Sequence, residues 1–178
     1  MSDKRSNIRL VGLQYLQFAN VRSTGAFPGT AASFSTIGNV VPDSAHFVIE
    51  APGVTDLFIE EEDTPDIQIF GTSKKYIEFA VRDLGTNMLV YAFGANGTTT
   101  ATIYRAPTTT VIYREQAILA RSKSINGKYI QVEIPRASIV ASGDLKFAKT
   151  DTGTLAFTCN VLMPNSSTKI SPWVIKQT

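Results

Sequence analysis

At 178 residues and 19.3 kDa the chain has the length of one domain, and its net charge of +2, from 17 basic and 15 acidic residues, supplies no broad basic field for nucleic acid or an anionic membrane. Hydrophobic residues make up 43%, which excludes disorder, and charged residues 18%, below the ~25% usual for soluble domains. A single cysteine, Cys159, excludes an internal disulfide, and a single histidine, His46, excludes a His-rich metal site.

The opening MSDKRSNIRLVG lacks the apolar run of a signal peptide, and no segment reaches transmembrane length, so the expected class is a cytoplasmic β-rich domain. The composition is that of pleated surfaces: the chain holds 20 threonines, with Val, Ile, Phe and Tyr throughout. Ile8 to Phe18 alternates Ile8, Leu10, Leu16 and Phe18 against Val11, Leu13 and Tyr15, which predicts a strand apolar on both faces, buried twice or set against another subunit. Residues 19–44 then break into Gly, Pro and small polar residues, with Phe27, Phe34, Ile37, Val40 and Val41 spaced through them. That many apolar anchors in so long a connection predict a loop or arm that docks on something.

Ala45 to Glu50 and Thr55 to Glu60 flank Ala51-Pro52-Gly53 and predict a hairpin, followed by a short strand at Ile67 to Phe70. Lys75 to Arg82 places Ile77, Phe79 and Val81 on one side and is read as a strand rather than a helix capped by Ser73. Thr86 to Phe93, capped by Thr86 and stopped by Gly94, is the helix candidate. Thr98 to Tyr104, Thr109 to Ala120, Tyr129 to Pro135 and Thr154 to Met163 complete the strands. The expected fold is mainly β: a β-sandwich or barrel of two packed antiparallel sheets, with one short α-helix and a long loop or arm, as one domain over residues 1–178.

No nucleophile elbow, phosphate loop, HExxH, CxxC or GxGxxG occurs, so no enzyme activity, catalytic residue, cofactor or metal site is expected. His46 reads as a structural strand residue and Cys159 as a small buried hydrophobe. Glu60-Glu61-Glu62-Asp63 and Asp66 put five carboxylates in seven residues, read first as a solvated turn, with a cation site or an acidic rim as alternatives. The basic residues are dispersed (Lys74, Lys75, Arg105, Arg114, Arg121, Lys123 and Lys128), and their interleaving with Tyr104, Tyr113 and Tyr129 is read as strand packing rather than a single-strand platform.

From Tyr129 the chain runs YIQVEIPRASIVASG, then LKFAKTDTGTL, then AFTCNVLMP; upstream, KKYIEFAVRDL precedes the amphipathic NMLVYAFG. This cadence over Ile67 to Pro164 resembles the tail tube (major tail) proteins of long-tailed phages, which share their fold with type VI secretion tube proteins. The resemblance implies a small β-sandwich or barrel flanked by a helix, hexameric rings whose joined sheets form an inner barrel, and stacking into the tail tube through which DNA and the tape-measure protein pass. It implies partners in baseplate and tail terminator proteins, assembly in the bacterial host cytoplasm, and no membrane.

Two expectations follow for the residues. Phe27, Phe34, Ile37 and Val40 in the 19–44 arm, and Trp173 in a C-terminal arm at 164–178, are inter-ring anchor candidates; Trp173 packing on its own domain is the equal alternative. A lumen that passes DNA should not grip phosphates, which makes Glu50, Glu60, Glu78, Glu115 and Glu133 candidates for its lining. The competing classes are another virion β-protein (a tail terminator, neck or decoration protein) and a carbohydrate-binding β-sandwich, which needs exposed aromatics along a groove.

Overall fold

A computed structural model describes residues 12–29, 34–58, 64–65, 67–94, 102–108, 114–147, 152–166 and 170–178. Its strands are β1 (Leu13–Asn20), β2 (Ser35–Thr36), β3 (His46–Ile49), β4 (Val54–Leu57), β5 (Ile67–Phe70), β6 (Lys75–Val81), β7 (Arg114–Ser122), β8 (Ile130–Phe147), β9 (Thr152–Val161) and β10 (Val174–Gln177). One helix, α1 (Thr86–Phe93), lies between β6 and β7. The architecture is mainly β, with a large and a small antiparallel sheet, as the sequence led us to expect.

The large sheet runs β2-β1-β7-β8-β9-β6-β3. Its two ends belong to one stretch of chain. Gln17 pairs with Thr36 and the Ile37 amide donates to the Leu16 carbonyl, while Val40 bridges Val81 and His46 to Ile49 pair with Glu78 to Lys75. Residues 35–49 therefore form a strap antiparallel to β1 on one side and to β6 on the other, and the sheet closes into a barrel of five long strands and the strap. This pairing removes most of the exposed edge that a strand-rich chain otherwise carries, and leaves residues 13–15 of β1 without a ladder partner on the strap side among the described residues.

Period-two alternation fills the interior. Leu16 and Phe18 of β1, Ile118 and Ala120 of β7, Val132, Ile134, Ala137 and Ile139 of β8, Leu155, Phe157 and Cys159 of β9, and Ile77, Phe79 and Val81 of β6 form one core. Phe79 and Phe157, opposite each other in register, stack at 4.9 Å between ring centroids, and Phe18 meets Phe79 edge-on at 5.9 Å. Burial pushes the Cys159 thiol far above its ordinary pKa, so it is an inert small hydrophobe here.

Inside β8 the parity changes. Gln116 pairs with Ala137 but Ile118 with Ile134, so Ala117 stands opposite two residues, Pro135 and Arg136. This bulge is where a proline, lacking an N–H for the ladder, can sit inside a strand. It carries the strand past the expected end at Pro135 to Phe147.

Helix α1 covers one end of the barrel, burying Met88 and Ala92 and placing Tyr91 edge-on to Phe18 at 5.5 Å. Gly85, not Thr86, is its N-cap, and no side chain caps it; Gly94 at φ 80° ends it, its amide donating to the Val90 carbonyl. Beneath the helix Gly143 is closely packed: a Cβ there would lie 2.8 Å from Leu155 Cδ2 and 3.2 Å from Phe93 Cζ, so both side chains would have to shift.

Two expectations are corrected. The strands on either side of Ala51-Pro52-Gly53 do not pair with each other; β3 pairs with β6, and β4 pairs with β5 in the small sheet. Tyr104 and its neighbours 102–103 lie outside any strand, while 98–101 and 109–113 fall outside the described residues.

Candidate functional site

Three surfaces stand out from the barrel: a projecting arm, a lateral cleft, and an outer sheet face.

The arm is the small sheet. β4 continues the path of β3 and β5 leads into β6, so β4–β5 prolongs the β3–β6 pair beyond a waist where the Gly71 amide donates to the Gly53 carbonyl at 2.7 Å and the Glu50 amide to the Lys74 carbonyl at 2.9 Å. All eight arm strand residues are exposed. Register puts Leu57, Ile67 and Ile69 on one face, with Val54 and Phe70 at the base of the other. With Phe58, these six large apolar side chains are 46–63% exposed, which an isolated two-stranded hairpin does not tolerate in water without a partner.

The cleft opens where the strap parts from β1. Below Leu16 the two are paired; above it the strap swings to β6, leaving a cleft of about 600 Å³ between Gly12–Leu16 and Asn39–Phe47. Its floor is the core itself, Leu16, Ile37, Ile77, Ala120 and Val132, and its rim carries Asp43, His46, Arg121 and Lys123.

On the outer face, positions Tyr76 to Ala80 of β6, Thr154 to Asn160 of β9 and Ser138 to Asp144 of β8 point away from the core at alternate residues; none of these is Lys or Arg, and the exposed Arg82 follows at the end of β6 with the same parity. Glu78 lies here opposite His46, and Glu50 lies beside Tyr76. The Tyr76 phenol is held above its ordinary value, first by partial burial and then by the carboxylates of Glu50 and Glu78.

The remaining lumen candidates sit elsewhere. Glu133 is 6% exposed on β8; its Oε1 accepts from Lys176 Nζ and from Gln131 Nε2, both at 2.7 Å, and so ties β10 to β8. Glu115 on β7 takes a two-pronged ion pair from Arg136, at 2.8 Å from Nε and 2.6 Å from Nη2. Glu60, with the acidic run 60–63 and Asp66, falls outside the described residues. Among the described residues no group of three His, Cys, Asp or Glu could hold a metal ion.

The arm anchors divide likewise. Ile37 is buried in this chain's own core, and Val40 packs against it, so both serve barrel closure. Phe27 and Phe34 are half-buried and contact each other at 5.8 Å, near a fully buried Pro28. Trp173 packs on Phe47 at 5.5 Å, and the chain after it is β10, antiparallel to β8; the C-terminal segment from Trp173 onward is thus seated on its own barrel. On the second face of β1, apolar in sequence, Leu13 and Tyr15 are half-buried and Val11 lies outside the described residues.

Arg136 belongs to the Ile134-Pro135-Arg136 step within YIQVEIPRASIVASG, and its partners are not legible from that sequence. Besides Glu115 it donates from Nη1 to the Met163 carbonyl at 3.1 Å and to Asn165 Oδ1 at 2.7 Å, clasping the chain that leaves β9. The guanidinium hydrogen bonds hold Glu115 below the usual carboxylate range. A carboxylate with a depressed folded pKa adds stability above its unfolded value, near 4.3, that disappears as pH falls through the depressed value. Wild-type protein and Glu115→Gln are therefore expected to differ in urea unfolding at pH 7 and to converge as pH falls through and below the depressed value. A difference that stays constant with pH would assign the effect to packing. Arg121 is occupied as well: it lies over the Tyr129 ring at 3.4 Å and nearer the edge of reach of Tyr15 at 5.6 Å, which covers two of the tyrosines that would otherwise offer stacking surfaces.

Neither a protein-family model nor a curated protein matches this chain.

Proposed function

We propose that this chain is a structural virion protein of the tail tube type: a subunit of hexameric rings that stack into the tube through which phage DNA and the tape-measure protein pass. The observation that carries this reading is the arm. The barrel is closed along most of its length, yet it extends a hairpin, β4–β5, on and beside which six large apolar side chains stand about half exposed. A second copy is the economical cover.

The outer face of β6, β9 and β8 supports the same reading. A conduit for DNA needs a wall that does not hold phosphates, and this face offers Thr, Ser, Ala and Asn with Glu78 and Asp144. Of the lumen candidates, Glu50 and Glu78 belong to this wall, whereas Glu115 and Glu133 are ion-paired on the β7–β8–β10 side. In the resembling segment, Ile134 fills the core, Pro135 sits in the bulge and Arg136 forms the clasp, so each residue of the Ile-Pro-Arg step has a structural task.

Negative-stain electron microscopy with sedimentation over a concentration series tests the proposal. Hollow tubes or stacked annuli are expected as concentration rises. Single rings that never stack would shift the reading to a terminator or neck protein, and a monomer at every concentration would overturn it.

A further inference from the structure

The arm and the cleft are complementary in chemistry, and they are different surfaces of one chain. Among the described residues, the cleft exposes an apolar floor between two strand edges without a ladder partner: β1 above Leu16, where the strap has turned away, and β3, which pairs only with β6. An extended apolar segment entering such a gap supplies side chains to the floor and backbone groups to the edges. β4–β5 is the described segment of that character with no partner, and its exposure shows that it does not lie in its own cleft. Charge agrees: the rim has Arg121 and Lys123 against Asp43, while the arm bears Asp56 and its connecting sequence is the most acidic in the chain.

We infer that the β4–β5 arm of one copy docks in the cleft between β1 and the strap of a second copy. This rests on the self-assembly proposed above and names the contact. Because arm and cleft are distinct, the contact is head-to-tail: every added copy brings one free arm and one free cleft, so the series ends only by closing into a ring or continues as a filament. It also fills the one gap in barrel closure and covers the apolar face of the arm.

Two single-cysteine variants test it, Ile69→Cys on the arm and Gln14→Cys on the cleft wall, joined by a short bis-maleimide. Native Cys159 is fully buried and silent, and both new positions are exposed, so folding is not at issue. Mixing the variants is expected to raise the covalent dimer about ten-fold over either alone, since docking holds the two thiols at high effective concentration. Equal cross-linking of Ile69→Cys by itself would mean an arm-to-arm contact and overturn the inference. Wild-type tubes or rings without cross-links in the mixture would overturn it while leaving the tube reading intact. Cross-linked head-to-tail oligomers that never form rings or tubes would keep the docking and remove the tube reading.

Discussion

In the assembly proposed above, replacing Leu57, Ile67 and Ile69 together by serine should abolish polymerisation and leave the barrel as stable as before. The three side chains share one face of the arm and are about half exposed in the single chain. Covering the remaining half of each recovers roughly 0.8–1.5 kcal/mol, so the triple change should weaken each contact by about 2–4 kcal/mol, or 30- to 1,000-fold in association. The concentration needed for assembly, read by sedimentation, rises by that factor. None of the three belongs to the barrel core, so thermal unfolding of the monomer should move by no more than surface substitutions do, about 0.5 kcal/mol each. A variant that assembles normally would remove the arm from the contact.

Phe157→Ala should have the largest effect on the fold. Its ring is 1% exposed, stacks on Phe79, and lies on β9 between the two strands that flank it. Truncation removes the transfer energy of a benzyl group and leaves a void that the closed sheet cannot collapse into, a loss of about 3–5 kcal/mol. For a domain of this size that lowers the melting temperature by roughly 6–20 °C. A shift under about 2 °C would mean that the interior relaxes far more than a closed barrel permits. Against a total stability of about 5–15 kcal/mol, the change leaves little reserve.

What the sequence reveals depends on whether a pattern is local. β6 and β9 are legible because each has one face on the core, so Ile77-Phe79-Val81 and Leu155-Phe157-Cys159 alternate cleanly. The hairpin around Ala51-Pro52-Gly53 is misread because turn residues announce a change of direction but do not say which strand comes alongside; β3 and β4 are successive parts of one path that bends out of the barrel. The arm could have been found from the pair Thr55-Asp56-Leu57 and Ile67-Gln68-Ile69, two short alternating runs on either side of the acidic connection. Ile37 and Val40 show the other limit. Apolar anchors in a polar stretch signal docking equally well whether the surface is the chain's own barrel or a neighbour's, and here the strap uses them at home.

The Arg136 clasp and the cleft are invisible at the level of pattern. Glu115 and Arg136 meet because a register places Glu115 beside Ser138, and the cleft exists because the strap leaves β1 after Ile37. Both are products of pairing between segments far apart in sequence, which alternation within either segment does not encode.

The bulge at Pro135 and Arg136 makes β8 a strand with two reading frames. Before it, even-numbered residues such as Val132 and Ile134 point inward; after it, odd-numbered ones such as Ala137 and Ile139 do. The first half thereby presents Glu133 to β10 and the second half Ser138 and Val140 to the opposite wall, so one strand serves two unlike surfaces. A single residue inserted just after Ala137 would exchange outward for inward residues from Ser138 to Asp144, as no point substitution can. Length, more than residue identity, is what this strand has least freedom to change.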